Sequence, residues 1–90
     1  MNKLFLISYD LKHLNKDYSK LYEAIKNEGE WRHTLESIWF IKTNSNNCAD
    51  LIYKNIKPTI AEDDTLFIVD ITGCQNAGWM GKNTWKWLKE

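Results

Sequence analysis

The sequence predicts one small α+β domain in which strands and helices follow the order β-α-β-β-α-β. Three observations point there. Four strand-like runs, three of them apolar, are rich in Ile, Leu, Phe and Trp. Two segments between them repeat their apolar residues at helical spacing. The whole is 90 residues long, which is one domain's worth of chain.

The first run, Lys3 to Tyr9 (KLFLISY), is continuously apolar and reads as a buried strand ending before Asp10. Residues 10–16 are polar and read as a loop. Asp17 stands where a helix N-cap belongs. Tyr18, Leu21, Tyr22 and Ile25 follow at i, i+3, i+4 and i+7, one face of a helix over 17–28. Gly29 is placed to stop it. Trp31 to Thr43 (WRHTLESIWFIKT) is strand-like but too long for one flat strand, so a turn or bulge is expected near Glu36-Ser37. Asn44 to Asn47 supply a turn and a cap. Cys48, Leu51, Ile52 and Ile56 mark the second helical face, which Pro58 should end. Asp63-Asp64 precede the last strand, TLFIVDIT. A loop bracketed by Gly73 and Gly78 leads to a Trp-rich tail, with a short helix expected at 84–89 capped by Thr84.

Two right-handed crossovers in this order interleave into a ferredoxin-like antiparallel sheet with two helices on one face. Alternation then makes both sheet faces apolar. Phe5, Ile7 and Tyr9 oppose Leu4 and Leu6; Trp39 and Ile41 oppose Ile38 and Phe40; Phe67, Val69 and Ile71 oppose Leu66 and Ile68. Two helices cover one face only. The other requires a partner, the Trp-rich tail, or both, and a symmetric homodimer is the simplest closure.

Composition excludes some classes. Twelve basic and twelve acidic residues balance, and Arg32 is the only arginine, which argues against avid non-specific nucleic-acid binding. A local basic patch stays compatible with this balance. No apolar run approaches the ~20 residues of a membrane span, so no membrane role is expected. Met1-Asn2-Lys3 runs straight into the first strand without a leader-like region, and a cytoplasmic protein is the expectation. Cys48 and Cys74 have no metal-like or redox-like spacing and are expected as small buried or half-buried thiols.

The ordered set SYDL at 8–11, LYEAI at 21–25, LESIWFIKT at 35–43, DTLFIVDITG at 64–73, then Trp79 and the Trp87-Leu88 pair resembles a known group. It is similar to the small SinR-like proteins related to the CRISPR-associated Cas-two endonucleases and the VapD-type toxins, proteins of antiviral defence among them. The resemblance spans nearly the whole chain. It implies a ferredoxin-like homodimer in which the first-strand carboxylates of two protomers meet near the two-fold axis. Carried over, that residue is Asp10, as catalytic residue and ligand of Mg²⁺ or Mn²⁺. A hard cation of this kind takes one or two carboxylates and fills the rest with water. It would lower the pKa of that water and offset phosphate charge.

Other residues carry readings of their own. Asp10 otherwise caps the loop after its strand. Tyr9 and Ser8 are core or interface residues that a ligand could reach. Arg32 and His33 could contact phosphate while Trp31 stacks on a base, or all three could be a solvated strand edge. His13 has the pKa range of an acid-base group but stands alone in a loop. Asp63 and Asp64 suit a turn. Trp79, Trp85 and Trp87 either pack the tail on the sheet or form a stacking pocket for a nucleobase. Three functions stay open: a divalent-metal-dependent endonuclease, a non-catalytic binder of RNA, DNA or a small nucleotide, and an assembly scaffold that adds partner strands to its sheet edges. A binder that sequesters a nucleotide signal, as some phage immune antagonists do, belongs to the second class.

Overall fold

The computed structural model describes residues 2–90. Its first strand, β1 (Asn2–Asp10), runs through the middle of a four-stranded antiparallel sheet. β2 (Glu30–Leu35) and β3 (Ile38–Asn44) form the hairpin on one side, and β4 (Thr65–Asp70) pairs on the other. The strand order is β2-β3-β1-β4. Helices α1 (Ser19–Lys26) and α2 (Ala49–Ile56) are the two crossovers, and α3 (Lys82–Lys89) ends the chain. The result is a small α+β domain consistent with a ferredoxin-like fold. Among the described residues, no helix is long and apolar enough to cross a membrane.

Register fixes which side chains meet the helices. Phe5 lies opposite Ile41, Ile7 opposite Trp39 and Ile68, and Tyr9 opposite Leu66. These odd positions of β1 pack with Leu21 and Ile25 of α1 and Ile52 and Ile56 of α2 in one core. Each fully buried aliphatic or aromatic side chain contributes roughly 1.5–3 kcal/mol of apolar transfer energy. The even positions, Leu4, Leu6 and Ser8, face the other side with Phe40 and Phe67.

That second side is partly covered by the chain itself. Trp87 of α3 is buried there, beneath the Arg32 guanidinium at 4.7 Å and beside the Lys42 ammonium at 4.6 Å. Lys42 also donates to the Trp87 carbonyl. The hydroxyls of Thr34 and Thr84 meet at 2.7 Å. α3 therefore covers part of the β2–β3 half of the face, around Arg32, Thr34 and Lys42, whereas Phe67 on β4 stays 63% exposed. The tail is thus one of the covers that the two-sided apolar pattern demanded.

Several local expectations need correction. Glu36-Ser37 does make the turn of the hairpin, with a register irregularity between Arg32 and Leu35. Asp17 sits one residue before the α1 N-cap, Tyr18, although its carboxylate accepts the Ser19 N–H at 2.9 Å. α2 ends at Ile56, just before Lys57-Pro58, as expected. Pro58 itself fits into a following 3-10 turn, Lys57–Thr59, whose early positions need no N–H donor. Gly81, not Thr84, caps α3; Thr84 is buried inside it, where its hydroxyl is needed by Thr34. Cys48 and Cys74 are both exposed rather than buried.

Gly29 is required for a different reason from the one its position suggests. α1 already ends at Lys26, and Gly29 has no positive φ. A Cβ there would overlap the Lys42 backbone carbonyl. Backbone cannot swing aside as a side-chain tip does. Gly29→Ala is expected to cost about 1–3 kcal/mol, the usual range for overpacking. Urea unfolding followed by circular dichroism measures this; an unchanged midpoint would show that the α1–β2 junction yields freely.

Candidate functional site

The C-terminal end of β1, the β2–β3 turn and the loop of residues 11–18 enclose an open cleft. Tyr9, Asp10, His13, Tyr18, Tyr22 and Glu36 line it. Each arrives there for a local reason. β1 outruns its apolar core contacts at Tyr9, so Asp10 emerges at the rim in solvent. Tyr18, the N-cap of α1, and Tyr22 within it lie one turn apart and line the same cleft. The Tyr9 amide bonds the Ser37 carbonyl at 3.2 Å, which holds the hairpin turn against β1.

A row of aromatic rings continues from the cleft along the β2 side. Trp39, almost fully buried, is its centre. Tyr22 stacks on it at 6.0 Å and His33 at 3.9 Å, with planes tilted by 24° and 13°. Trp31 lies 5.4 Å away at a steeper angle, with the Lys26 ammonium 4.9 Å from its ring centre. The Trp39 Nε1–H donates to the Tyr9 hydroxyl at 3.0 Å. Burial raises the Tyr9 pKa, and the Trp39 bond offsets part of that. His33 Nε2 lies 2.8 Å from the Glu36 carbonyl, which only accepts, so this nitrogen carries the proton.

The loop wall of the cleft is fastened by Asp64. Its carboxylate accepts the backbone N–H of Lys12 and of Ala61, each at 2.8 Å, and the Tyr18 hydroxyl at about 2.9–3.0 Å. Burial acts to raise its pKa, yet these three donors more than offset it and hold the carboxyl below its ordinary value. Next to it, His13 Nε2 meets Asp63 Oδ1 at 2.6 Å. That bond holds the Asp63 carboxyl low as well. The turn expected at Asp63-Asp64 is therefore also the clamp that positions the loop carrying His13.

His13, Asp63 and Asp64 bring ligand-type atoms within 4.8 Å of one another. Their chemistry is that of a closed hydrogen-bond network. Asp64 is occupied by three donors, and the His13 nitrogen facing Asp63 carries a proton. Asp10 stands outside this group. Its carboxylate is paired with the Lys12 ammonium at 2.7 Å in solvent, a contact of small energetic weight. Within the cleft, Glu36 is the other carboxylate near Asp10.

The structure divides the residues singled out in the sequence between two faces. Tyr9, Asp10 and His13 share the cleft, and His33 and Trp31 continue it through Trp39. Arg32 lies on the opposite face against Trp87, where it also donates to the Trp31 carbonyl at 2.8 Å. Trp79 is on that opposite side too, almost wholly exposed. Tyr22, Trp39 and Lys26 belong to the aromatic row but read in the sequence only as helix or strand residues. The signal was in the hairpin register: with Trp31 opposite Ile41, it comes within reach of Trp39 two residues along. Compared with models of protein families and with curated proteins, the chain matches none.

Proposed function

We propose that this chain is a nucleic-acid- or nucleotide-directed protein of ferredoxin-like build that works as a homodimer, with the cleft at the end of β1 as its ligand site. The observation that carries this reading is the continuity of an exposed carboxylate, Asp10, with the half-buried Tyr22 in the same cleft and, beyond it, the exposed rings of His33 and Trp31 packed around the buried Trp39. Ring faces stack on nucleobases at roughly 1–3 kcal/mol per base. Lys26 and Lys16 lie over the neighbouring Trp31 and Tyr18 rings, within reach of a sugar–phosphate backbone.

Phosphate next to Asp10 and Glu36 meets like charge unless a cation intervenes. Mg²⁺ or Mn²⁺ suits that need, since either takes few carboxylates and keeps its waters. Asp10 has the sequence parity of Leu4, Leu6 and Ser8, the residues of the incompletely covered sheet face. A homodimer through that face whose two-fold axis runs along the strands would put two Asp10 carboxylates on the same side of the assembly. Such a pair supplies the one or two carboxylates a hard cation takes, and an ion held there would acidify its bound water for phosphodiester hydrolysis. Binding through the aromatic row requires no such pair, so a protein that binds a nucleotide without cutting it is the second reading.

Single-stranded RNA and DNA oligonucleotides and mono- and dinucleotides, each titrated with and without Mg²⁺ or Mn²⁺, separate these outcomes. Tryptophan quenching that depends on the cation is expected, with Asp10→Asn weakening it about tenfold, a loss of the size of one charge-assisted contact. Cleavage that disappears in Asp10→Asn with the dimer intact establishes the endonuclease. Quenching without turnover establishes the binder. If no nucleotide quenches the fluorescence and no oligonucleotide is cut, the proposal fails.

A further inference from the structure

The second sheet face carries an apolar groove that α3 leaves open. It has a volume of about 440 Å³ and is walled by Leu4, Leu6, Leu35, Phe40, Trp85 and Leu88, with no charged side chain in its lining. That volume lies in the range that seats a small organic group. At its rim stands Trp79, 99% exposed. Beside it on β4, Phe67 faces the same way, since it pairs with Ser8.

We infer that the groove receives Trp79 from a second copy of this chain, in a symmetric exchange in which each protomer inserts one indole and accepts one. The inference rests on the homodimer reading above and specifies what closes it. A two-fold interface needs a patch that is complementary to itself. Here the protruding group and the apolar receptor lie on one face of one chain.

Charge does not oppose this occupant, and area sets how tightly it is held. The chain has no net charge, so two copies approach without long-range repulsion. An exposed tryptophan brings roughly 150–250 Å² of surface. Each copy buries its own indole, a matching area of groove wall and much of Phe67. The total is on the order of 500 Å² per copy, below the ~800 Å² per partner of a standard interface. An interface of this size belongs to the weak, reversible class. A wholly solvated Trp79 in the free protomer becomes the central anchor of the pair, the position at which aromatic residues concentrate binding energy.

Sedimentation of the native chain and of Trp79→Ala over a wide concentration range tests this, with the tryptophan emission maximum recorded alongside. Trp79, 99% exposed, is outside the core, so the variant keeps the native melt and circular-dichroism spectrum, which report that it is folded. The native chain is expected to dimerise reversibly, its emission moving to shorter wavelength as it does. Trp79→Ala is expected to dissociate at least tenfold more readily. A variant that dimerises as well as the native chain overturns the exchange and leaves the homodimer standing on another surface. A native chain that stays monomeric throughout, whether or not Trp79 folds into its own groove, overturns both.

Discussion

Asp64→Ala is expected to leave the domain largely unfolded at temperatures where the native chain is folded, lowering the melting temperature by about 10 °C or more. The reason is the company Asp64 keeps. Three donors from three separate stretches converge on one buried carboxylate: the Lys12 amide after β1, the Tyr18 hydroxyl before α1, and the Ala61 amide before β4. Alanine leaves all three to find water in a place that excludes it, and each stranded donor carries its own desolvation cost. The loop of residues 11–18 would then lose its tie to β4. Asp64→Asn preserves shape but supplies one acceptor oxygen instead of two.

The same carboxylate sets an acid limit. Burial alone would raise its pKa; the three donors outweigh burial and depress it in the folded chain. A group with a depressed folded pKa stabilises the fold fully above its unfolded value, about 3.9. It loses that contribution as pH falls toward the folded value. Asp63, held low by His13, acts with the same sign. Melting temperature should therefore be flat from neutral pH down to about pH 5 and fall steeply below about pH 4. In Asp64→Asn the melt starts lower and falls less steeply. A native chain whose melting temperature is insensitive to acid would show that the Asp64 bonds do not form in solution.

The sheet was legible in the sequence because its signal is periodic. β1, β3 and β4 are apolar runs whose alternation assigns the two faces, and register then leaves little freedom. The hairpin turn was legible because a thirteen-residue run (31–43) exceeds an ordinary strand. What escaped was set by contacts distant in sequence. Gly29 reads as a helix stop, yet its constraint is a carbonyl on β3. Thr84 reads as a cap, yet its hydroxyl is matched to Thr34, fifty positions away. Asp64 reads as a turn residue, and nothing local announces that Lys12 and Tyr18 will need it.

The candidate site divides in the same way. Asp10 was visible as a carboxylate ending an apolar strand, a purely local pattern. The row of Tyr22, Trp39 and His33 was not, because each of these residues also satisfies a simpler demand: a helix face for Tyr22, a strand face for Trp39, a polar edge for His33. Their stacking exists only once α1 is laid on the β2–β3 hairpin. Likewise Arg32 and His33, adjacent in sequence, do not share a site, because alternation sends neighbouring strand residues to opposite faces. Arg32 pairs opposite Phe40, and so faces Trp87.

Trp39 joins core and cleft, and its replacement is expected to have the largest effect on both. Trp39→Ala removes a nearly fully buried indole that touches Tyr22, Trp31 and His33 and donates to Tyr9. A loss of about 3–5 kcal/mol is usual for a tryptophan truncated in a core, a large part of the ~5–15 kcal/mol that holds a domain together. That variant tests the core but not the cleft, because an unfolded chain binds nothing. Trp39→Phe separates the two. It keeps an aromatic floor under Tyr22 and His33 while the Tyr9 hydroxyl loses its donor, at about 1–2 kcal/mol for the missing bond and ring. The folded phenylalanine variant should lose most of the nucleotide-induced quenching, since Trp39 is the indole nearest the cleft, while ligand anisotropy shows affinity reduced only a few-fold. Full quenching in Trp39→Phe would mean that the responding tryptophan lies elsewhere, on the tail, and that the aromatic row beside Asp10 is core packing rather than a place where a base rests.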